Sequence, residues 1–80
     1  MIAVCGAGSW GTALASTLAR NTKETIYIWG REPEVLQEIS NQHSNNKYLP
    51  GIKLAENLKS CDDLKTLLQH ANDILIVVPS

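Results

Sequence analysis

The stretch Gly6-Ala7-Gly8-Ser9-Trp10-Gly11 packs three glycines into six residues. It lies directly after the apolar run Ile2-Ala3-Val4-Cys5 and directly before the alanine-rich residues 12–19. Glycine destabilises regular structure by roughly 0.5–1 kcal/mol relative to alanine, so such a cluster needs a steric reason. The spacing G-x-G-x-x-G at a strand-to-helix junction supplies one. Gly6 permits a tight turn out of the strand, Gly8 leaves the backbone bare for a pyrophosphate to approach, and Gly11 lets the helix pack closely on the strand. The unpaired amides near Ser9 to Gly11 then point at the phosphates and are favoured by the helix macrodipole. The Ser9 hydroxyl adds a further donor.

A second determinant belongs after the next strand, about 20 residues past the motif. A carboxylate there bonds the ribose hydroxyls of NAD, whereas an arginine accommodates the 2′-phosphate of NADP. The segment Trp29-Gly30-Arg31-Glu32 offers both. The Arg31 guanidinium pairs with phosphate and stacks on an adenine face better than a lysine does. Glu32, if it points inward, holds a ribose hydroxyl and permits NAD. We favour Arg31 as the contact and NADP(H) as the preferred coenzyme, with NAD(H) as the other; a merely solvated loop arginine is the alternative.

These residues need a scaffold, and the hydrophobic pattern describes one. Strands are expected over residues 2–5 and 25–29, and helices over 10–20 and from Pro33 to His43 or Ser44. Pro33 suits a first helical turn, where its missing N–H goes unused. In the first helix Ala13, Leu14 and Leu18 form the apolar side; in the second, Val35, Leu36 and Ile39 do. Residues 45–51 read as a loop closed by Pro50-Gly51, and residues 52–59 allow at most a short strand. Ser60-Cys61-Asp62-Asp63 resembles a capping box, with Ser60 as the cap. The helix that follows carries Leu64, Leu67, Leu68 and Ala71 on one stripe and ends at Asn72. A last strand runs from Asp73 or Ile74 to Val78. Strand and helix alternating three times, with a closing strand, predict an α/β fold: a Rossmann-type parallel sheet with flanking helices.

Strands apolar on both faces, as the first and last are here, belong in the middle of a sheet covered on both sides. Eighty residues supply only part of such a sheet, so the chain reads as the first half of a dinucleotide-binding domain. The first strand also opens so close to Met1 that preceding native residues are expected.

Composition narrows the classes. With 44% hydrophobic residues the sequence is globular, and its net charge of −1 with mixed signs argues against a nucleic-acid binder. The longest apolar run, Ile74 to Val78, is far short of the about 20 residues of a membrane span. Residues 1–20 lack the pattern of a secretory signal. Cys5 and Cys61 fit neither a disulfide framework nor a metal site, and Cys5 reads as a small buried hydrophobe. A reducing, cytoplasmic setting fits best. His43 and His70 sit late in their helices, where they suit the dipole, and Asp62-Asp63 read as helix-start acids rather than a catalytic pair.

Taken together, Gly6 through Ala15, Trp29-Gly30-Arg31, Asn46-Lys47-Tyr48-Leu49-Pro50-Gly51 and Val77-Val78-Pro79-Ser80 resemble the N-terminal part of the NAD(P)-dependent glycerol-3-phosphate dehydrogenase family, the bacterial type most closely. The resemblance spans essentially all 80 residues. It implies reduction of dihydroxyacetone phosphate to sn-glycerol 3-phosphate for phospholipid synthesis, with this segment binding the ADP part of the coenzyme. It implies coenzyme contacts from Ser9, Trp10 and Arg31 besides Gly6, Gly8 and Gly11, and Tyr48 in a loop near the coenzyme. A packing role is the alternative for the Trp10 indole and for the Tyr48 ring. Pro79 and Ser80 are expected to approach the nicotinamide side. The family's catalytic lysines lie beyond residue 80. None of Lys23, Lys47, Lys53, Lys59 or Lys65 falls in a matching motif, so no catalytic residue is assigned. A homodimer formed through the remaining domain is a further expectation. The alternatives are a nucleotide-sensing module without chemistry and another reductase of the 6-phosphogluconate or ketopantoate type.

Overall fold

A computed structural model of the 80-residue chain describes residues 1–77. Four strands, β1 (Ile2–Cys5), β2 (Ile26–Trp29), β3 (Leu58–Ser60) and β4 (Asp73–Ile76), alternate with three helices, α1 (Ser9–Arg20), α2 (Pro33–Gln42) and α3 (Leu64–His70). The strands are all parallel, in the order β3-β2-β1-β4. Ile2 pairs with Ile26 on one side and Asp73 on the other; Cys5 pairs with Trp29 and Ile76. The α/β parallel sheet expected from the sequence is therefore present, with the final strand ending at Ile76 rather than Val78, which lies outside the described residues. Among the described residues no helix is long and apolar enough to cross a membrane.

The chain steps outward from β1 to β2 to β3, then returns across the sheet to β4 on the far side of β1. With right-handed crossovers, α1 and α2 share one face and α3 lies on the other. The core fills the first face. Val4, Ile26, Ile28 and Leu58 meet Ala15 and Ala19 of α1 and Val35, Leu36 and Ile39 of α2, with Leu54 closing the end.

The inner face of α1 differs from the expected one. Its buried residues are Gly11, Thr12, Ala15, Ser16 and Ala19, while Leu14 is exposed and Leu18 only partly buried. Small residues line the contact because the helix lies close on the sheet, where a leucine would hold it away. The inner face of α2 is the expected one, Val35, Leu36 and Ile39.

The cap of α3 also moves. Ser60 is the last residue of β3, and its hydroxyl donates to the Leu36 carbonyl at 2.7 Å. Asp63 caps the helix instead, its carboxylate accepting from the Thr66 amide and hydroxyl. Of the expected apolar stripe only Leu67 is buried. Among the described residues β1 is central, whereas β4 lies at an edge with all four of its residues exposed.

Candidate functional site

Between β1 and β4 the direction of the crossovers reverses, and in open parallel sheets ligands bind beyond the carboxyl ends of the strands at such a point. A cleft of about 590 Å³ opens there, within the range of small-molecule sites. Its floor is the β1–α1 turn from Cys5 to Gly11. One wall is Trp29 to Glu32 with Val35 and Tyr48, and the other is Ile76 with Val77. All seven residues singled out in the sequence, Gly6, Gly8, Ser9, Trp10, Gly11, Arg31 and Tyr48, line it. Pro79 and Ser80 lie outside the described residues.

The glycines act by different means. Gly6 has φ +127°, a region that side-chain-bearing residues rarely adopt, and its amide donates to the Trp29 carbonyl at 2.7 Å. A Cβ at Gly11 would stand 1.7 Å from the Gly6 carbonyl oxygen, so the first turn of α1 rests directly on the turn before it. A Cβ at Gly8 would meet nothing within 4 Å. Gly8 is also the residue before α1, and it gives the helix no side-chain cap. The Ser9, Trp10 and Gly11 amides of the first turn precede the first intrahelical bond, from the Thr12 amide to the Gly8 carbonyl. An uncapped, positively polarised helix end thus opens on empty space, which suits an anion. Gly30 is a further glycine of the site that the motif did not reveal. A Cβ there would lie 2.6 Å from the Ala7 methyl, so β2 leaves the sheet hard against the turn.

The loop through Asn45 to Leu49 is fastened to this turn at several points. The Ser9 hydroxyl donates to the Tyr48 carbonyl at 2.7 Å. Asn45 is fully buried; its amide group donates to the Ala7 carbonyl at 3.1 Å and to the Thr12 hydroxyl at 2.8 Å, and Thr12 in turn donates to the same carbonyl. Asn45 and Thr12 escape sequence reasoning, since an asparagine in an Asn-rich loop looks like any turn former. A further tie joins the loop to Glu32 along one wall of the cleft: the Tyr48 phenol and the Lys47 ammonium donate to the two oxygens of Glu32. The Lys47 ammonium also lies 5.5 Å from the centre of the Tyr48 ring.

These contacts set the charges. The Lys47 ammonium and, after it, the Tyr48 hydroxyl hold the Glu32 carboxyl below its usual range. The same carboxylate holds the Lys47 ammonium and the Tyr48 phenol above theirs. At neutral pH the cluster is therefore carboxylate, ammonium and neutral phenol. Arg31 is exposed on the cleft wall with no hydrogen bond or ion pair among the described residues. Trp10 is 79% exposed and does not cap the core. Cys5 is half-buried at the cleft floor rather than enclosed, and partial burial pushes its thiol up, away from reactivity. His43 occupies the left-handed C-cap of α2 and lies 3.0 Å from Glu56. No cluster of metal-ligating residues occurs among the described residues.

Comparison with known proteins agrees with this architecture. The profile of the family described as the NAD-dependent glycerol-3-phosphate dehydrogenase N-terminus matches residues 1–80. A glycerol-3-phosphate dehydrogenase [NAD(P)+] of Stenotrophomonas maltophilia is 51% identical over 79 residues, 99% of this chain and 23% of its own length. One from Bacillus licheniformis is 43% identical over the same span. Among solved structures, the glycerol-3-phosphate dehydrogenase of Coxiella burnetii has a TM-score of 0.85 at 48% identity, covering 99% of this chain and 24% of that one. That of Saccharomyces cerevisiae has the same TM-score at 31% identity, covering 98% and 26%. The chain thus spans about a quarter of the length of these relatives. With the profile matched from end to end and the fold shared, the chain belongs to the NAD-dependent glycerol-3-phosphate dehydrogenase N-terminal family.

Proposed function

We propose that this chain is the coenzyme-holding segment of an NAD(P)-dependent glycerol-3-phosphate dehydrogenase, which reduces dihydroxyacetone phosphate to sn-glycerol 3-phosphate. The observation that carries the reading is the bare backbone at Gly8. Open space above an uncapped helix end, with a free guanidinium on the neighbouring wall, fits a dinucleotide lying across the cleft. In this reading the Ser9, Trp10 and Gly11 amides hold the pyrophosphate. Gly6 and Gly11 hold the turn that presents them. The Ser9 hydroxyl proton is engaged by the Tyr48 carbonyl, so Ser9 serves the phosphate through its amide and serves the loop through its side chain. Arg31 takes the 2′-phosphate, the exposed Trp10 indole offers an apolar wall, and the Tyr48 ring closes the adenosine end.

The chemistry available from a nicotinamide coenzyme is hydride delivery to the ketone carbon. What this chain contributes is the register of the coenzyme and the exclusion of water from its ADP half. In this reading the catalytic lysines lie beyond residue 80. A phospholipid precursor as product, a homodimer through that further part and a cytoplasmic setting complete the reading.

The test is a titration of NADPH and NADH into the full-length protein, followed by coenzyme fluorescence, for wild type and Gly8→Val. Wild type is expected to bind. The variant is expected to lose about tenfold or more in affinity for both coenzymes at an unchanged melting temperature, since the new side chain projects into the cleft and touches no protein atom within 4 Å at its Cβ. Arg31→Ala is expected to weaken NADPH much more than NADH. A wild-type protein that binds neither coenzyme overturns the reading.

A further inference from the structure

Glu32 precedes α2 and its carbonyl starts that helix, accepting from the Val35 and Leu36 amides at 3.1 and 3.2 Å. Its side chain does not cap the helix. Instead, both carboxylate oxygens are committed outward, one to the Tyr48 phenol and one to the Lys47 ammonium. A free carboxylate at this place in the cleft wall, beside Arg31, has two effects on an adenosine ribose. It accepts from ribose hydroxyls, and it repels a 2′-phosphate. Lys47 suppresses both effects. It occupies one oxygen, supplies a compensating charge, and lies on the same loop as the tyrosine that occupies the other.

We propose that Lys47 is a positioning residue for coenzyme choice: by pairing with Glu32 it keeps that carboxylate fastened to Tyr48 and cancels its charge, so that the rim beside Arg31 accepts a 2′-phosphorylated ribose. The inference rests on the coenzyme-binding reading above. Lys47 does not line the cleft, so it acts through Glu32 rather than by touching the ligand. Around Glu32 stand two cations, Arg31 and Lys47, and a second anion, Glu34, of which only Arg31 lines the cleft with it. Without Lys47 the anions outnumber the one remaining cation. The pair is accessible, with side-chain exposures of 54% for Lys47 and 31% for Glu32, so it can open. When it opens, Glu32 becomes an acceptor for an unphosphorylated ribose, which gives one site a route to both coenzymes.

The experiment uses the full-length protein and two fragment ligands, 2′,5′-ADP and ADP-ribose, titrated calorimetrically beside NADPH and NADH. The variants are Lys47→Met, Lys47→Arg, Glu32→Gln and the Lys47→Met/Glu32→Gln double. Lys47→Met is expected to weaken 2′,5′-ADP and NADPH by about fivefold or more while ADP-ribose and NADH hold or improve. Lys47→Arg should retain the wild-type ratio. The double variant should recover 2′-phosphate binding, because the uncovered charge is gone. If Lys47→Met lowers all four affinities equally, Lys47 only supports the loop, and the proposal fails. If the double variant does not recover, Lys47 acts on the phosphate directly, and the proposal also fails. Failure of wild type to bind any of the four ligands would instead sink the underlying coenzyme reading, so the two outcomes are separable.

Discussion

The two faces of the sheet receive alternate residues of the same strands and meet different fates. On the face under α1 and α2, Val4, Ile26, Ile28 and Leu58 are all fully buried. On the other, register places Tyr27 and Trp29 beside Ala3 and Cys5, with Ile74 and Ile76 at the edge. Ala3 alone of these is fully buried; Ile74 is 40% exposed and Ile76 75%. Residue type does not account for the difference, since isoleucines stand on both sides. Cover is one difference, two helices with closely fitting small residues against one seven-residue helix; place in the sheet is the other, since Leu75 of the edge strand β4 lies on the first face and is 39% exposed. Hydrophobic stabilisation follows area removed from water, so the cohesion of the described residues resides on one face. The cleft sits at the end of the sheet, where that firm face holds the glycine turn in place.

The same substitution on the two faces breaks the comparison if it is wrong. Ile28→Ala removes a fully buried side chain and is expected to cost about 2–5 kcal/mol of unfolding free energy. Made in this 80-residue chain, where Ile76 is 75% exposed, Ile76→Ala is expected to stay within about 0.5 kcal/mol. Urea denaturation of the two variants reads both values, and equal losses would mean that the open face is as cohesive as the sealed one.

A polar substitution then sharpens where the sealed face meets the site. Asn45 is fully buried and bonded to both Ala7 and Thr12. Asn45→Ala leaves the Thr12 hydroxyl without one of its partners and removes a fixed point of the loop, at a cost of about 1–3 kcal/mol. Because the loop carries Tyr48 and Lys47, coenzyme affinity should fall together with stability. A variant destabilised with affinity intact would show that the loop holds its place without Asn45.

How much of this could be read from the residues alone follows the same division. The strand–helix alternation and the glycine turn were legible because each has a period or a spacing tied to backbone geometry, and the inner face of α2 was legible because Val35, Leu36 and Ile39 are its large apolar residues. The inner face of α1 was not. Periodicity weighted by size selects Leu14 and Leu18, whereas close approach to the sheet selects Gly11, Ala15 and Ala19. Ser60 and Asp63 both precede the last helix and both can cap it. The β3 pairing, which places Ser60 opposite Ile28, decides between them and depends on contacts far apart in sequence. The Glu32, Lys47 and Tyr48 cluster was illegible for the same reason. Fifteen and sixteen residues separate its partners, and only the folded loop brings them together.

The smallest expected effect lies on the open face and distinguishes local from global stability. Hydrogen bonds from the Thr66 hydroxyl and amide hold the Asp63 carboxyl below its ordinary range. A carboxyl whose folded-state value is depressed stabilises the fold above its unfolded value, about 3.9 for aspartate, and that contribution is lost as pH falls through the lower folded value. Acidification should therefore release the cap of α3. Since α3 buries only Leu67, its loosening should remain local. Amide exchange at Thr66 is expected to quicken in acid beyond the intrinsic trend, while the amides of β2 stay protected. In Asp63→Ala the Thr66 amide should already exchange fast at neutral pH, with the midpoint of urea unfolding nearly unmoved. If β2 protection fell in step with Thr66, α3 would be part of the same cooperative unit as the sealed face, and the two faces would not differ in the way their burial indicates.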